Sequence, residues 1–144
     1  MKLTVIEARL TRDTEFFGKM DPYVTIQHRE DVIQTSVKKS AGKEPKWDQE
    51  FTLNVKYIGD DIRVQVLDKD PLKSDLIGEA LIKLSALCMA DGYKEWFTLT
   101  FEGKSAGKIH LGSVWKPDLP AMYPPQGQPQ FPPQGQQFYP PQQP

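Results

Sequence analysis

An antiparallel β-sandwich of eight strands is the fold this sequence predicts, and two observations carry it. Apolar and polar residues alternate with a period of two along most of residues 1–116, and the alternating runs are short and separated by Gly, Pro, Asp and Lys. Period-two patterning turns one row of side chains toward a core and the next toward water, which is the signature of half-buried strands. Eight such runs in succession, with one brief helical candidate, imply two packed sheets.

The runs come in order. Leu3–Ala8 opens the chain, followed by Tyr23–Gln27 and Val32–Val37. In the fourth, Phe51, Leu53 and Val55 alternate with Thr52 and Asn54; in the fifth, Ile62, Val64 and Val66 alternate with Arg63 and Gln65. Ile77–Lys83 is the sixth. Ser85–Ala90 then reads as a helical turn or two capping one end of the sandwich. Phe97, Leu99 and Phe101 against Thr98 and Thr100 form the seventh run, and Lys108–Trp115 the last. Trp47, Trp96 and Trp115 read as packing residues, Cys88 as a small buried hydrophobe, and His28 and His110 as exposed strand or turn residues.

Composition changes sharply at Lys116-Pro117. Of the thirteen prolines, all but Pro22, Pro45 and Pro71 lie in 117–144, and no charge follows Asp118. Such a segment cannot bury enough apolar surface to offset its ordering entropy, so a disordered tail of polyproline-II character is expected beyond a folded domain of residues 1–116. An aromatic-Pro-Pro-Gln unit recurs in it at Tyr123, Phe131 and Tyr139. Pro-x-x-Pro spacings also occur, at Pro117–Pro120, Pro129–Pro132 and Pro141–Pro144. The tail reads either as a plain spacer or as a docking segment for a protein partner.

A formal net charge of −1 gives no sign of a nucleic-acid partner, and none is expected. The single cysteine excludes an intramolecular disulfide, and no signal-like apolar stretch follows Met1, so a reducing, cytosolic setting is expected. No run is long enough to span a bilayer, which leaves peripheral contact as the one route to a membrane. Neither histidine forms a nucleophile–base arrangement with a flagged Ser, so the chain reads as a non-enzyme. A monomer is expected.

Acidic residues concentrate between strands: Asp13 and Glu15 with Asp21, then Asp68 and Asp70, then Asp75. In a sandwich of antiparallel neighbours the loops alternate between the two ends. Loops 10–21, 38–48 and 68–75 therefore share one end, and His28–Asp31 belongs to the other. Two unit charges about 4 Å apart repel by about 4 kcal/mol at an effective dielectric of about 20, so gathered carboxylates need a cation. Oxygen donors without His or Cys suit a hard ion such as calcium. Phe16, Phe17 and Leu72 lie in the same loops, either as apolar tips for a bilayer or, for the two phenylalanines, as a satellite core. Lys38, Lys39, Lys43 and Lys46 fall within nine residues, as a basic patch for an anionic leaflet or as ordinary solvated surface.

Three segments carry a family resemblance. Gly18-Lys19-Met20-Asp21-Pro22-Tyr23-Val24, Pro45-Lys46-Trp47-Asp48-Gln49-Glu50-Phe51 and Val66-Leu67-Asp68-Lys69-Asp70 resemble landmarks of the C2 domain, the calcium-dependent phospholipid-binding module of protein kinase C and synaptotagmins. Asp75-Leu76-Ile77-Gly78-Glu79 and Trp96-Phe97-Thr98-Leu99 are similar to its later landmarks. The order of these segments resembles the permuted topology that begins one strand later than synaptotagmin's. The resemblance implies Asp21, Asp68, Asp70 and Asp75 as calcium ligands, with backbone carbonyls of Met20 or Lys69 completing the shell. Where the family has a further aspartate this chain has Glu15, so either Glu15 or Asp13 supplies that ligand. The loop between Asp70 and Asp75 is one residue shorter than the common spacing and contains Pro71. Calcium-dependent docking on anionic phospholipid, as a non-enzymatic adaptor, is the implied function. The alternative is a calcium-independent module that binds proteins or phosphoinositides through the lysine face and the tail.

Overall fold

A computed structural model describes residues 1–15 and 17–116. Phe16 and the proline-rich segment 117–144 lie outside the described residues, and with them the readings made on both. The strands are β1 (Lys2–Leu10), β2 (Pro22–His28), β3 (Asp31–Gln34), β4 (Lys46–Thr52), β5 (Asp61–Lys69), β6 (Ser74–Lys83), β7 (Tyr93–Phe101) and β8 (Lys104–Val114). They form one antiparallel ribbon in the order β3-β2-β5-β6-β7-β8-β1-β4.

The ribbon folds on itself at its middle. β6 and β7 share the single register pair Glu79↔Thr100, whereas β5 and β6 pair along their whole length. The two four-stranded halves therefore face each other, and one core cluster holds side chains from both. Val24, Ile26, Ile62, Val64, Val66 and Ile77 come from one half, and Leu3, Val5, Leu99, Ile109 and Leu111 from the other. At the fold line the halves approach too closely for a side chain at position 78. A Cβ on Gly78 would stand 2.9 Å from the Ala106 Cβ and 3.1 Å from the Leu99 Cβ. β1 and β8 lie side by side, with Lys2 opposite Val114 and Leu10 opposite Gly107.

Every strand differs in extent from the sequence expectation, β6 beginning at Ser74 and β7 at Tyr93, and three other departures have a local reason. β3 stops at Gln34 rather than Val37, because the Thr35 hydroxyl accepts the Val24 N–H at 2.8 Å in place of a backbone carbonyl. β4 starts at Lys46 and ends at Thr52, where its partner β1 begins at Lys2; Leu53 is still buried, and its N–H donates to the Met1 carbonyl. The expected helical turns over 85–90 reduce to one 3-10 turn, Leu84–Ala86, with Leu84 and Leu87 plugging the end of the core. β8 starts at Lys104 and ends at Val114, so Trp115 lies beyond it.

Both histidines depart from the exposed reading. His28 is only 3% exposed, with Nε2 3.1 Å from Asp60 Oδ2, and Arg29 Nε donates to the same oxygen. His110 is half-buried and stacks on Trp96, ring centroids 4.4 Å apart. Cys88 is half-buried against the core, and burial pushes its thiol pKa up. Trp47 is buried and donates its indole N–H to the Ser36 carbonyl.

Candidate metal centre at the loop end

Three loops meet at one end of the sandwich: 11–21 between β1 and β2, 35–45 between β3 and β4, and 70–73 between β5 and β6. Their backbones are tied together. The Gly42 N–H donates to the Met20 carbonyl at 3.0 Å, the Lys38 N–H to the Pro22 carbonyl at 2.9 Å, and the Lys69 N–H to the Asp21 carbonyl at 3.0 Å. A side chain joins them too, since Asp21 Oδ1 accepts the Ser40 N–H at 2.6 Å.

Asp68 stands at the centre. It is 1% exposed and both oxygens are used: Oδ1 accepts the Asp21 N–H at 2.8 Å, and Oδ2 accepts the Thr14 hydroxyl at 2.8 Å. Glu15, Asp68 and Asp70 each offer a carboxylate oxygen within 4.8 Å of the others. That crowding shifts the protonation of Glu15 and Asp70. The hydrogen bond with Asp68, then burial and the charges of Asp68 and Asp70, raise the Glu15 pKa to about 7. Asp70 is also raised, first by a hydrogen bond with Asp75, then by burial and the charge of Asp68. Asp75 is thus linked to the cluster through Asp70, and its Oδ1 lies 3.6 Å from Lys73 Nζ.

The remaining expected site residues fall in different places. Asp13 turns back on its own loop, where Oδ1 accepts the Glu15 N–H at 2.9 Å. Met20 has a fully buried side chain, and its carbonyl is the one engaged by Gly42. Phe17 is 82% exposed and Leu72 98%, so the satellite-core alternative does not hold for Phe17. Lys38 is half-buried, Lys39 and Lys43 are exposed, and exposed Lys46 lies 3.8 Å from Asp48.

Two residues that no sequence pattern singled out hold these loops. Thr14 supplies the hydroxyl that fixes Asp68. Arg12 lies 3.5 Å over the Phe101 ring and donates to the Leu76 carbonyl at 3.2 Å, pinning loop 11–21 to β6 and β7. Polar partners more than 50 positions apart, such as Thr14 and Asp68 or Arg12 and Leu76, leave no periodic trace.

A donor set made only of carboxylates, crowded enough to retain a proton near neutrality, fits a hard divalent cation. A family model described as "C2 domain" matches residues 1–99. Extended synaptotagmin-2 of Mus musculus is 33% identical over 104 residues, 72% of this chain and 12% of that protein. The chain thus spans about an eighth of that relative's length. Elicitor-responsive protein 3 of Oryza sativa subsp. japonica is 23% identical over 120 residues, 82% of this chain and 83% of that one. A solved structure of a pair of C2 domains from extended synaptotagmin 2, calcium bound, superposes with a TM-score of 0.64 at 30% identity, covering 77% of this chain and 43% of that one. Among the described residues no helix is long and apolar enough to cross a membrane.

Proposed function

The chain belongs to the C2 domain family, and from that premise we propose that it binds calcium at the loop end and docks there on anionic phospholipid membranes, as a non-enzymatic cytosolic adaptor. The observation that carries this reading is the Glu15–Asp68–Asp70 cluster, with oxygens within 4.8 Å of one another. The calcium-bound structure of a relative at 30% identity supports the choice of ion. Glu15, Asp68 and Asp70 would hold the ion, with Asp21 and Asp75 beside them. When bound, calcium cancels the local negative charge and offers coordination positions to lipid phosphate oxygens.

The chain's own residues do the rest. Thr14 and the Asp21 amide fix the Asp68 carboxylate in one orientation. Phe17 and Leu72 are exposed at the loops and offer apolar area to the bilayer. A fully buried aromatic or aliphatic side chain contributes roughly 1.5–3 kcal/mol, and partial insertion less. Lys39, Lys43 and Lys46 are exposed in or beside the third loop and add about 1 kcal/mol each near an anionic leaflet. Segment 117–144 would then be carried to the membrane as a docking segment for a protein partner.

Co-sedimentation with phosphatidylserine vesicles, in calcium and in chelator, tests the reading. Binding is expected in calcium alone, to be lost in Asp70→Asn, and to weaken in the Phe17→Ala, Leu72→Ala double variant with calcium binding retained. Equal binding in calcium and chelator would replace this reading with the calcium-independent one. One observation bears on that rival: Asp21 Oδ1 accepts the Ser40 N–H and Asp68 Oδ1 accepts the Asp21 N–H, so hydrogen bonds within the chain supply part of the contact between the loops.

A further inference from the structure

The exposed face of β7–β8–β1 carries a basic hollow at the end of the sheet where the acidic loops lie. Register sets Thr98, Lys108 and Arg9 side by side across the three strands, and Trp96, His110 and Glu7 in the adjacent row. The hollow measures about 270 Å³ and lies on the first row, lined by the exposed residues Arg9, Thr11, Thr98, Ser105 and Lys108. Gly107 lets β8 close against β1 there, because a Cβ at that position would collide with the Arg9 carbonyl oxygen.

Its chemistry is one-sided: two cations, three hydroxyls and no carboxylate line it. Among the described residues no carboxylate forms an ion pair with Arg9 or Lys108. Both cations rest instead on Trp96, Arg9 4.9 Å and Lys108 Nζ 5.3 Å from the ring centroid. Glu7, the acid of the second row, faces His110 at 3.5 Å. Position is the second observation. Thr11 opens loop 11–21, which also carries Phe17, and its N–H donates to the Ala106 carbonyl at 2.9 Å. The Leu10 N–H donates to the Lys43 carbonyl at 2.8 Å, so the edge of the hollow is tied to the third loop and its exposed lysines. Arg9 stands one residue inside the end of β1, a rise of about 3.3 Å. The hollow therefore lies just behind the loops that carry Phe17 and Leu72.

We infer that this hollow takes a phosphomonoester carried on the headgroup of a membrane lipid, as a second contact that needs no calcium; the inference rests on the loop-end docking proposed above. A phosphomonoester carries about −1.5 to −2 charges at pH 7, which two cations match, whereas a phosphodiester or a carboxylate carries one. The Arg9 guanidinium can present a two-pronged donor to its oxygens, and Thr11, Thr98 and Ser105 can donate to the rest. A bilayer entered by Phe17 and Leu72 brings its headgroup layer to the strand ends, within reach of a group that projects from that layer. Contact at the loop tips and at one flank of the sheet would fix the rotation of the domain on the surface, which the loop tips alone leave free.

The test uses the full chain in chelator, so that no calcium bridges the acidic loops to lipid. Co-sedimentation is measured on phosphatidylcholine vesicles carrying either phosphatidylinositol 4-phosphate or phosphatidylserine at matched total charge, which keeps repulsion by the acidic loops equal. The phosphomonoester lipid is expected to be bound at least roughly tenfold more tightly, with that preference lost in Arg9→Gln/Lys108→Gln and reduced in Thr98→Val. Thr98→Val removes one donor from a strand position that favours valine, so it separates lost recognition from lost folding. Lys39→Gln/Lys43→Gln is expected to weaken binding to both lipids and keep their ratio. Equal binding of the two lipids, a preference unchanged in Arg9→Gln/Lys108→Gln, or a preference abolished by Lys39→Gln/Lys43→Gln would overturn the inference. Inorganic phosphate or a phosphoserine peptide bound as tightly as the vesicles would also overturn it and make the hollow a site for a soluble ligand. Calcium-dependent sedimentation on phosphatidylserine vesicles is expected to persist in Arg9→Gln/Lys108→Gln, so failure here and failure of the calcium reading are separate results.

Discussion

Asp68 illustrates how one carboxylate can serve the fold before it serves a ligand. Its two oxygens accept the Asp21 amide and the Thr14 hydroxyl while the residue is almost completely covered. Asparagine can keep both contacts, its oxygen accepting from Asp21 while its amide donates to a reoriented Thr14 hydroxyl. Alanine keeps neither and leaves the half-buried Asp21 amide donor without this partner. In urea denaturation, Asp68→Ala is expected to cost about 1–3 kcal/mol, and Asp68→Asn much less. Asp70 differs, because its pKa is raised by neighbouring acids. Without calcium, Asp70→Asn is therefore expected to leave stability unchanged or raise it, since one repelling charge goes. The positions of Asp21 and Asp70 between strands could be read in the sequence; that Asp68 lies in β5 and Asp75 in β6 rather than in a loop could not, and neither could the burial of Asp68. It arises from Thr14, 54 residues away, and a pattern of neighbours carries no record of such a partner.

Elements were legible where burial alternates and obscure where a side chain replaces the ladder. β5 shows this well: Ile62, Val64, Val66 and Asp68 are buried in strict alternation, so the period continues into the acidic cluster. β3 is the counterexample, cut short by the Thr35 hydroxyl. Strand parity alone was enough to expect the first, third and fifth loops at one end, read as 10–21, 38–48 and 68–75 and observed as 11–21, 35–45 and 70–73. Their anchoring depends on Arg12 against Phe101 and Leu76. Arg12→Ala is expected to lower amide-exchange protection within 11–15 and weaken calcium binding several-fold, with β5 protection unchanged. At the opposite end, Arg29 and His28 hold the β2–β3 hairpin to Asp60, just before β5. The hydrogen bond from Arg29, with His28 adding to it, keeps the Asp60 carboxyl below its ordinary 3.8. A carboxylate whose pKa falls on folding stabilises the fold above its unfolded pKa, and that share is lost as pH drops through the folded value. Melting temperature is expected to decline below about pH 4, and Asp60→Asn to flatten that decline.

For the molecule as a whole, an ion that binds the folded chain and not the unfolded one must raise stability. Calcium at about one hundred times its dissociation constant would add about 2.7 kcal/mol. Scanning calorimetry is expected to show a calcium-dependent rise of several degrees, absent in Asp70→Asn. The core that must survive this is shared by both halves of the folded ribbon and has little slack at Gly78. Gly78→Ala is expected to cost roughly 1–3 kcal/mol, because the added methyl meets Ala106 and Leu99.

The pairing of Lys2 with Val114 has a mechanical consequence. Residues 2 and 114 leave neighbouring positions at the end of the sandwich away from the acidic loops. Tension applied between these two points pulls β1 and β8 apart sideways and loads their hydrogen bonds one after another. Tension between the loops and residue 114 acts along the strands and loads many bonds together. The same molecule is therefore a zipper when held at residues 2 and 114 and a strong link when held between a surface at its loops and a load on residue 114.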